Sequence, residues 1–216
     1  TSLVSFNGAS AVLHLNGQNE TVGGLSSATG AGVIQNESGV AGTSTLGIQV
    51  AAATSQSFGG TLRDGDGSGT DGTLAVVKSG TGTQILIGAS TYTGGTTVNE
   101  GTLLAGNSTG SAIGSGPLLV ATAGAFGGIG RVELAAASRA TFQGTLAPGA
   151  SAGSVGTLEF SLASAMGSST SGLTFDSATL AFDLGAAGAG ISATGTSDLL
   201  LLSGSLLASP PRVITL

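Results

Sequence analysis

Cysteine and tryptophan are absent from the 216-residue chain, and charge is scarce. Without cysteine there is no disulfide framework, no thiolate metal site and no sulfur nucleophile. Only 7% of the residues are charged, where a typical soluble domain has about 25%. The bases Arg63, Lys78, Arg131, Arg139 and Arg212 make no run, and 11 acids bring the net charge to −6; a nucleic-acid partner is disfavoured. Aromatics make up 4%. A rounded core normally uses more large rings, so a core of Ala, Val, Leu and Ile points to something narrow and layered. Long apolar runs are also missing. The most apolar stretch, Leu199 to Leu207, is interrupted by Ser203, Gly204 and Ser205. It falls short of the ~20 residues a spanning helix needs, so no membrane insertion by this segment is expected. The chain opens at Thr1 without a charged and then apolar leader, which reads as a processed product or a cut segment.

Glycine is what the chain has in abundance, 40 residues against a background of roughly 7%. Between the glycines the apolar residues alternate. "AVLHLNG" (11–17), "TQILIG" (83–88), "TYTGGTTV" (91–98) and "TLAFDLG" (179–185) are period-two runs bounded by Gly, Asn or Ser, the pattern of short strands. "VELAAASRATF" (132–142) is the best helical candidate, and its β-branched flanks favour strand. The tripeptide Gly-Thr-Leu recurs from Gly60, Gly72, Gly101, Gly144 and Gly156, a degenerate self-similarity. Such strands fit an all-β chain, either a β-sandwich or a solenoid of stacked parallel coils. Frequent Gly and Asn at corners and few Asn-Gly hairpin signals favour the solenoid. One solenoid domain over 1–209 is expected, with 210–216 as a separate C-terminal strand or a truncated continuation. Ile85, Ile87, Val98, Leu103 and Phe182 are the expected inward residues, so Ile87→Asp should cost several kcal/mol.

"KSGTGTQILIGASTYTGGTTVNEGTLLAGN" (78–107) resembles the autotransporter-associated β-strand repeat. The likeness lies in Lys78-Ser79-Gly80, in Ile85 and Ile87, in the run Tyr92 to Val98, and in Gly101-Thr102-Leu103. "NGQNETVGGLSS" (16–27), "LAPGASAGSVGTLEF" (146–160), "LAFDLG" (180–185) and "SDLLLLSG" (197–204) are fainter echoes of the coils that flank it. The resemblance implies a right-handed parallel β-helix outside the cell, in the passenger region of a large bacterial surface protein.

Few residues offer chemistry. Asp64, Asp66 and Asp71 lie in "RDGDGSGTDG" (63–72). Counted from Asp64 the loop partly follows a calcium pattern, but its twelfth position is Ala75 instead of a bidentate Glu. A Gly-Asp corner is the competing reading, and no other cofactor is indicated. His14 sits between Leu13 and Leu15 and faces solvent on strict alternation. "GASAG" (149–153) follows Pro148 in a turn, without the strand–helix junction a serine nucleophile uses. Glu133, Glu159, Asp176 and Asp183 are scattered, where a glycosidase pairs its carboxylates. The expectation is therefore a non-enzymatic extracellular scaffold, a stalk or adhesin-like module. A polysaccharide-binding or -processing β-helix and an ice- or surface-binding solenoid are the alternatives. Expected partners are other copies of the chain and cell-surface or matrix polysaccharide. Self-association would use the apolar strands at the two ends, through Leu3, Val4 and Phe6 and through Val213, Ile214 and Leu216.

Overall fold

The computed structural model describes residues 1–28, 30–37, 39, 42–67, 71–150, 154–166, 172–183 and 197–206, so the strand expected at 210–216 lies outside the described residues. Among these residues there is no helix, and every pairing between strands is parallel. The chain winds as a parallel β-helix. Its first turn contains β1 (Val4–Phe6), β2 (Val12–His14) and β3 (Glu20–Val22). The second contains β4 (Leu25–Ser27), β5 (Val33–Gln35) and β6 (Thr43–Gln49), and the third β7 (Ser55–Phe58), β8 (Thr61–Arg63) and β9 (Thr73–Ser79). Then β10 (Thr83–Leu86) leads to two long strands, β11 (Thr96–Ala105) and β12 (Leu118–Gly128), each of which runs over a corner from one face into the next. β13 (Arg131–Leu134), β14 (Arg139–Phe142), β15 (Thr145–Pro148), β16 (Thr157–Met166), β17 (Gly172–Phe175), β18 (Thr179–Leu180) and β19 (Leu199–Leu206) complete the stack. The stretch read as helix or strand at 132–142 is two strands, β13 and β14, joined by a turn.

Parallel register aligns identical faces, so inward residues form columns along the axis. One column runs Val22, Ile48, Lys78, Val98, Val120, Phe142, Phe175. Another runs Gln84, Leu103, Phe126, Leu146, Leu180. The Gly-Thr-Leu tripeptide is the unit behind this alignment. Leu62, Leu74, Leu103, Leu146 and Leu158 are all fully buried, and Thr61, Thr73, Thr145 and Thr157 each open a strand. The glycine stands at the corner where the turn below comes closest. A Cβ on Gly60 would lie 2.2 Å from the Gly32 carbonyl oxygen, and one on Gly101, at φ 68°, 2.3 Å from that of Gly80. Both distances are well inside van der Waals contact, so a larger residue would push the turns apart.

One expected face is reversed. Val98 and Leu103 are buried, but Ile85, Ile87 and Phe182 are only half-buried, and Gln84 and Leu86 point inward instead. The cause is register. Thr83 aligns with Thr102, which places Gln84 on Leu103 and Leu86 on Ala105. Gly82-Thr83-Gln84 thus occupies the Gly-Thr-Leu slot, and a one-residue slip would exchange the two faces. Gln84 can occupy a leucine's place because its amide is fully used. Its Oε1 accepts from Leu25 N–H at 2.9 Å, and its Nε2 donates to the carbonyls of Leu25, Gln56 and Ile85 at 3.1, 3.3 and 3.1 Å. The side chain thereby ties its strand to the backbones of two earlier turns, and a buried amide satisfied in this way carries little penalty.

Candidate functional site

Most of the polar residues that could do chemistry are spent as staples between turns. Asp64 directly follows β8 in the third turn. Its Oδ1 accepts from Leu74 N–H at 2.7 Å and Thr93 N–H at 3.1 Å, and its Oδ2 from the Thr93 hydroxyl at 2.7 Å. Asp71 turns back over Gly65 and accepts from Gly67 N–H at 2.9 Å, and Asp66 is exposed. Among the described residues no three His, Cys, Asp or Glu side chains gather as metal ligands would. Asp64 and Asp71 thus work on the backbone. Removing Asp64 leaves two amide donors without their carboxylate, so Asp64→Ala should lower stability by about 1–3 kcal/mol. A chelator should leave the melting temperature of the parent unchanged, and a chelator-sensitive shift that disappears in Asp64→Ala would reveal a bound cation.

Asn36 and Asn107 do similar work inside corners. Asn36 is buried and bonds Gly17 N–H, the Ser44 hydroxyl and the Thr73 carbonyl, each at 2.9 Å. Asn107 accepts from Arg131 N–H and donates to the carbonyls of Thr109 and Gly110. The Tyr92 hydroxyl is buried and lies 2.6 Å from the Thr96 hydroxyl; burial raises its pKa above the ordinary phenol value.

Lys78 was not expected in the core, yet it stands between Ile48 and Val98 in an inward column and is fully buried. Its ammonium reaches the corner and donates to the carbonyls of Ser79, Gly80 and Glu100 at 2.8, 2.7 and 3.1 Å. Desolvation pushes its pKa down to about 8 from 10.5, against the opposing pull of the Glu100 charge. The linked effect on stability follows from the sign. Unfolded chains hold this proton up to about pH 10.5 and the folded protein only to about 8, so folding releases it, and stability rises with pH across that interval. The full gain is of order 2–3 kcal/mol. Tyr92 acts oppositely, since its contribution is present below pH 10 and lost above it. The melting temperature should therefore climb from pH 8 towards pH 10 and then turn down. In Lys78→Met the climb should vanish; a climb of the same size in that variant would assign the effect elsewhere.

Two polar clusters lie on the outer surface of the second strand of each turn. His14, Gln35 and Arg63 are in register, with the Gln35 amide between the imidazole and the guanidinium and Glu37 beside it. His14 is exposed, on the solvent face as alternation requires. Farther along, Arg131 Nε lies 3.1 Å from Glu133 Oε1, off the hydrogen-bonding direction, and Arg131 Nη2 lies 3.7 Å from Glu159 Oε1. Glu133 and Glu159, scattered in the sequence, meet around one arginine because β13 and β16 are neighbours.

A concavity among the described residues crosses the strands β7, β10, β11, β12, β15 and β18. It is a groove of about 730 Å³. One side is a hydroxyl column, Ser55, Thr83, Thr102, Ala125 and Thr145, interrupted at Ala125 and continued in register by Thr179 beyond the groove's lining. Beside it runs an apolar column, Ile85, Leu104, Gly127 and Ala147. The small residues opposite Leu104 make the floor, and Pro148 and Phe182 line the groove as well. The sequence marks Thr102 and Thr145 as members of the Gly-Thr-Leu tripeptide but not as a site. The available signal was Gly-Thr ahead of an inward residue, at Gly82-Thr83, Gly101-Thr102 and Gly144-Thr145. Val213, Ile214 and Leu216 lie outside the described residues. Leu3 is exposed, Val4 half-buried, and Phe6 is packed inside at 5.5 Å from the ring of Phe58.

No helix among the described residues is long and apolar enough to cross a membrane. No curated protein and no solved structure matches the chain. The family model of the passenger-associated-transport-repeat matches residues 76–105, which take in the end of β9, all of β10 and β11, and with them Lys78, Gln84 and Tyr92. The repeat implies a secreted or cell-surface protein. Residues 76–105, which carry the buried Lys78, the inward Tyr92 and the corner glycines at 80 and 101, thus match an autotransporter passenger repeat, and the chain around them is a parallel β-helix.

Proposed function

We propose that the chain is a structural, non-enzymatic part of a secreted or surface-displayed passenger, a β-helical stalk that carries binding surfaces away from the cell. The observation that carries this reading is the use of the polar side chains. Asp64, Asn36, Asn107, Lys78 and Gln84 each hydrogen-bond the backbone of a corner or a neighbouring turn. Stacking energy in a solenoid comes from such nearest-neighbour terms, so residues spent in this way stiffen a rod. No cofactor is needed for that task. Antibodies against the chain, applied to intact cells and to culture medium, test the location: labelling of the surface or the medium is expected, and labelling only after lysis would sink the reading.

Self-association is a second reading, supported by exposed apolar side chains on the first turn. Leu3 and Val12 are 46% and 43% exposed, and contact between copies would remove this apolar surface from water. Sedimentation of the chain should show oligomers that Leu3→Lys with Val12→Lys dissolves; monomers at high concentration in the parent would end this reading.

A further inference from the structure

We propose that the groove over β7, β10, β11, β12, β15 and β18 binds an extended, uncharged polysaccharide along the helix axis. This goes beyond the stalk reading and stands on different residues. The groove's hydroxyls, on Ser55, Thr83, Thr102 and Thr145, make no hydrogen bond to any described residue, whereas those of Thr43 and Thr73 pair with each other at 2.6 Å and that of Thr96 pairs with Tyr92. They are donors and acceptors free for a ligand. Register stacks them at the strand spacing of about 4.8 Å, so the ligand meets a repeating hydroxyl row and, parallel to it, the apolar row of Ile85, Leu104 and Ala147. Linear glycans present the matching pair, hydroxyl edges and apolar C–H faces repeated along one direction.

Other occupants fit less well. Among the described residues Asp183 is the single charged one lining the groove, so none of them neutralises phosphates or uronates there. A peptide strand would need unpaired backbone groups, and here the ladder on both sides of each central strand uses them. An ice plane needs a flat array, and this surface is concave, with a volume of about 730 Å³ that lies in the range of about 300–1,000 Å³ usual for small-ligand sites.

Calorimetric titration of the full chain with cellohexaose, N-acetylchitohexaose and hexagalacturonate tests the proposal. At least one of the two neutral hexasaccharides should bind with a Kd in the millimolar range or tighter, and hexagalacturonate should bind more weakly. Thr102→Val with Thr145→Val keeps shape and β-propensity while removing two hydroxyls, and should weaken binding about tenfold. Ala125→Leu, at a half-buried outward position, should fill the groove and abolish binding. Equal melting temperatures of the variants and the parent confirm that the fold is intact. Absence of heat with both neutral probes at millimolar concentration, affinities unchanged in the double variant, or ice shaping without saccharide binding would each overturn the assignment.

Discussion

Leu86→Asp should unfold most of the protein, whereas Ile87→Asp, one residue on, should leave it folded. Leu86 is 1% exposed, in register with Phe58 on one side and Ala105 on the other. The substitution removes a buried aliphatic side chain and puts a carboxyl group among apolar neighbours, where it has to be desolvated or protonated. The combined cost is about 4–6 kcal/mol, comparable to the whole stability of a modest domain. Ile87 faces outward and is only half-buried, so its replacement should cost about 1 kcal/mol or less. Urea melts followed by circular dichroism would read the difference. The reverse order of the two variants would mean that β10 pairs one residue out of the register Thr83 to Thr102.

Phe160→Ala should be nearly as damaging, at about 3–5 kcal/mol. Phe160 is fully buried on β16, with its ring centroid 6.0 Å from Phe126 and 6.0 Å from Phe142, the latter edge-on. Phe142 in turn stacks at 5.4 Å on Phe175. These four rings join strands of two successive turns, and nothing nearby can collapse into the space without disturbing the backbone ladder, so the cavity persists. Because each turn of a solenoid is held mainly by its neighbours, the loss should be local. Differential scanning calorimetry should show the stretch from β13 onward melting in a separate, earlier transition. A uniform downward shift of a single transition would mean instead that all turns melt together. Phe6→Ala, whose ring has Phe58 as its aromatic neighbour and lies in the first turn, should cost less.

The class of fold was legible in the sequence because two local signals agreed. Alternation at period two marks strands, and small residues with glycine corners leave little room for anything but close stacking. The repeat between Lys78 and Asn107 was legible for the same reason, since Gly-Thr-Leu and Tyr92-Thr93-Gly94-Gly95 encode corner, outward and inward positions in order. Even His14, a lone polar residue between leucines, was placed outward correctly by alternation alone.

What the sequence could not carry was parity and company. Alternation over "TQILIG" marks two faces without saying which is inside, and the larger apolar pair, Ile85 and Ile87, was the wrong choice. Only the register with Thr102 decided it, and only the carbonyls and amide of distant turns made a buried Gln84 and a buried Lys78 tolerable. Glu133 and Glu159 meet around Arg131, and four hydroxyls from Ser55 to Thr145 line one groove, because successive turns stack in parallel. The sequence by itself determined that the chain is built of short strands that must pair and pack, since their backbone groups and narrow apolar faces would otherwise go unsatisfied. Which residues then become neighbours along the axis was decided by the tertiary register, because turns of unequal length bring positions together at no fixed sequence interval.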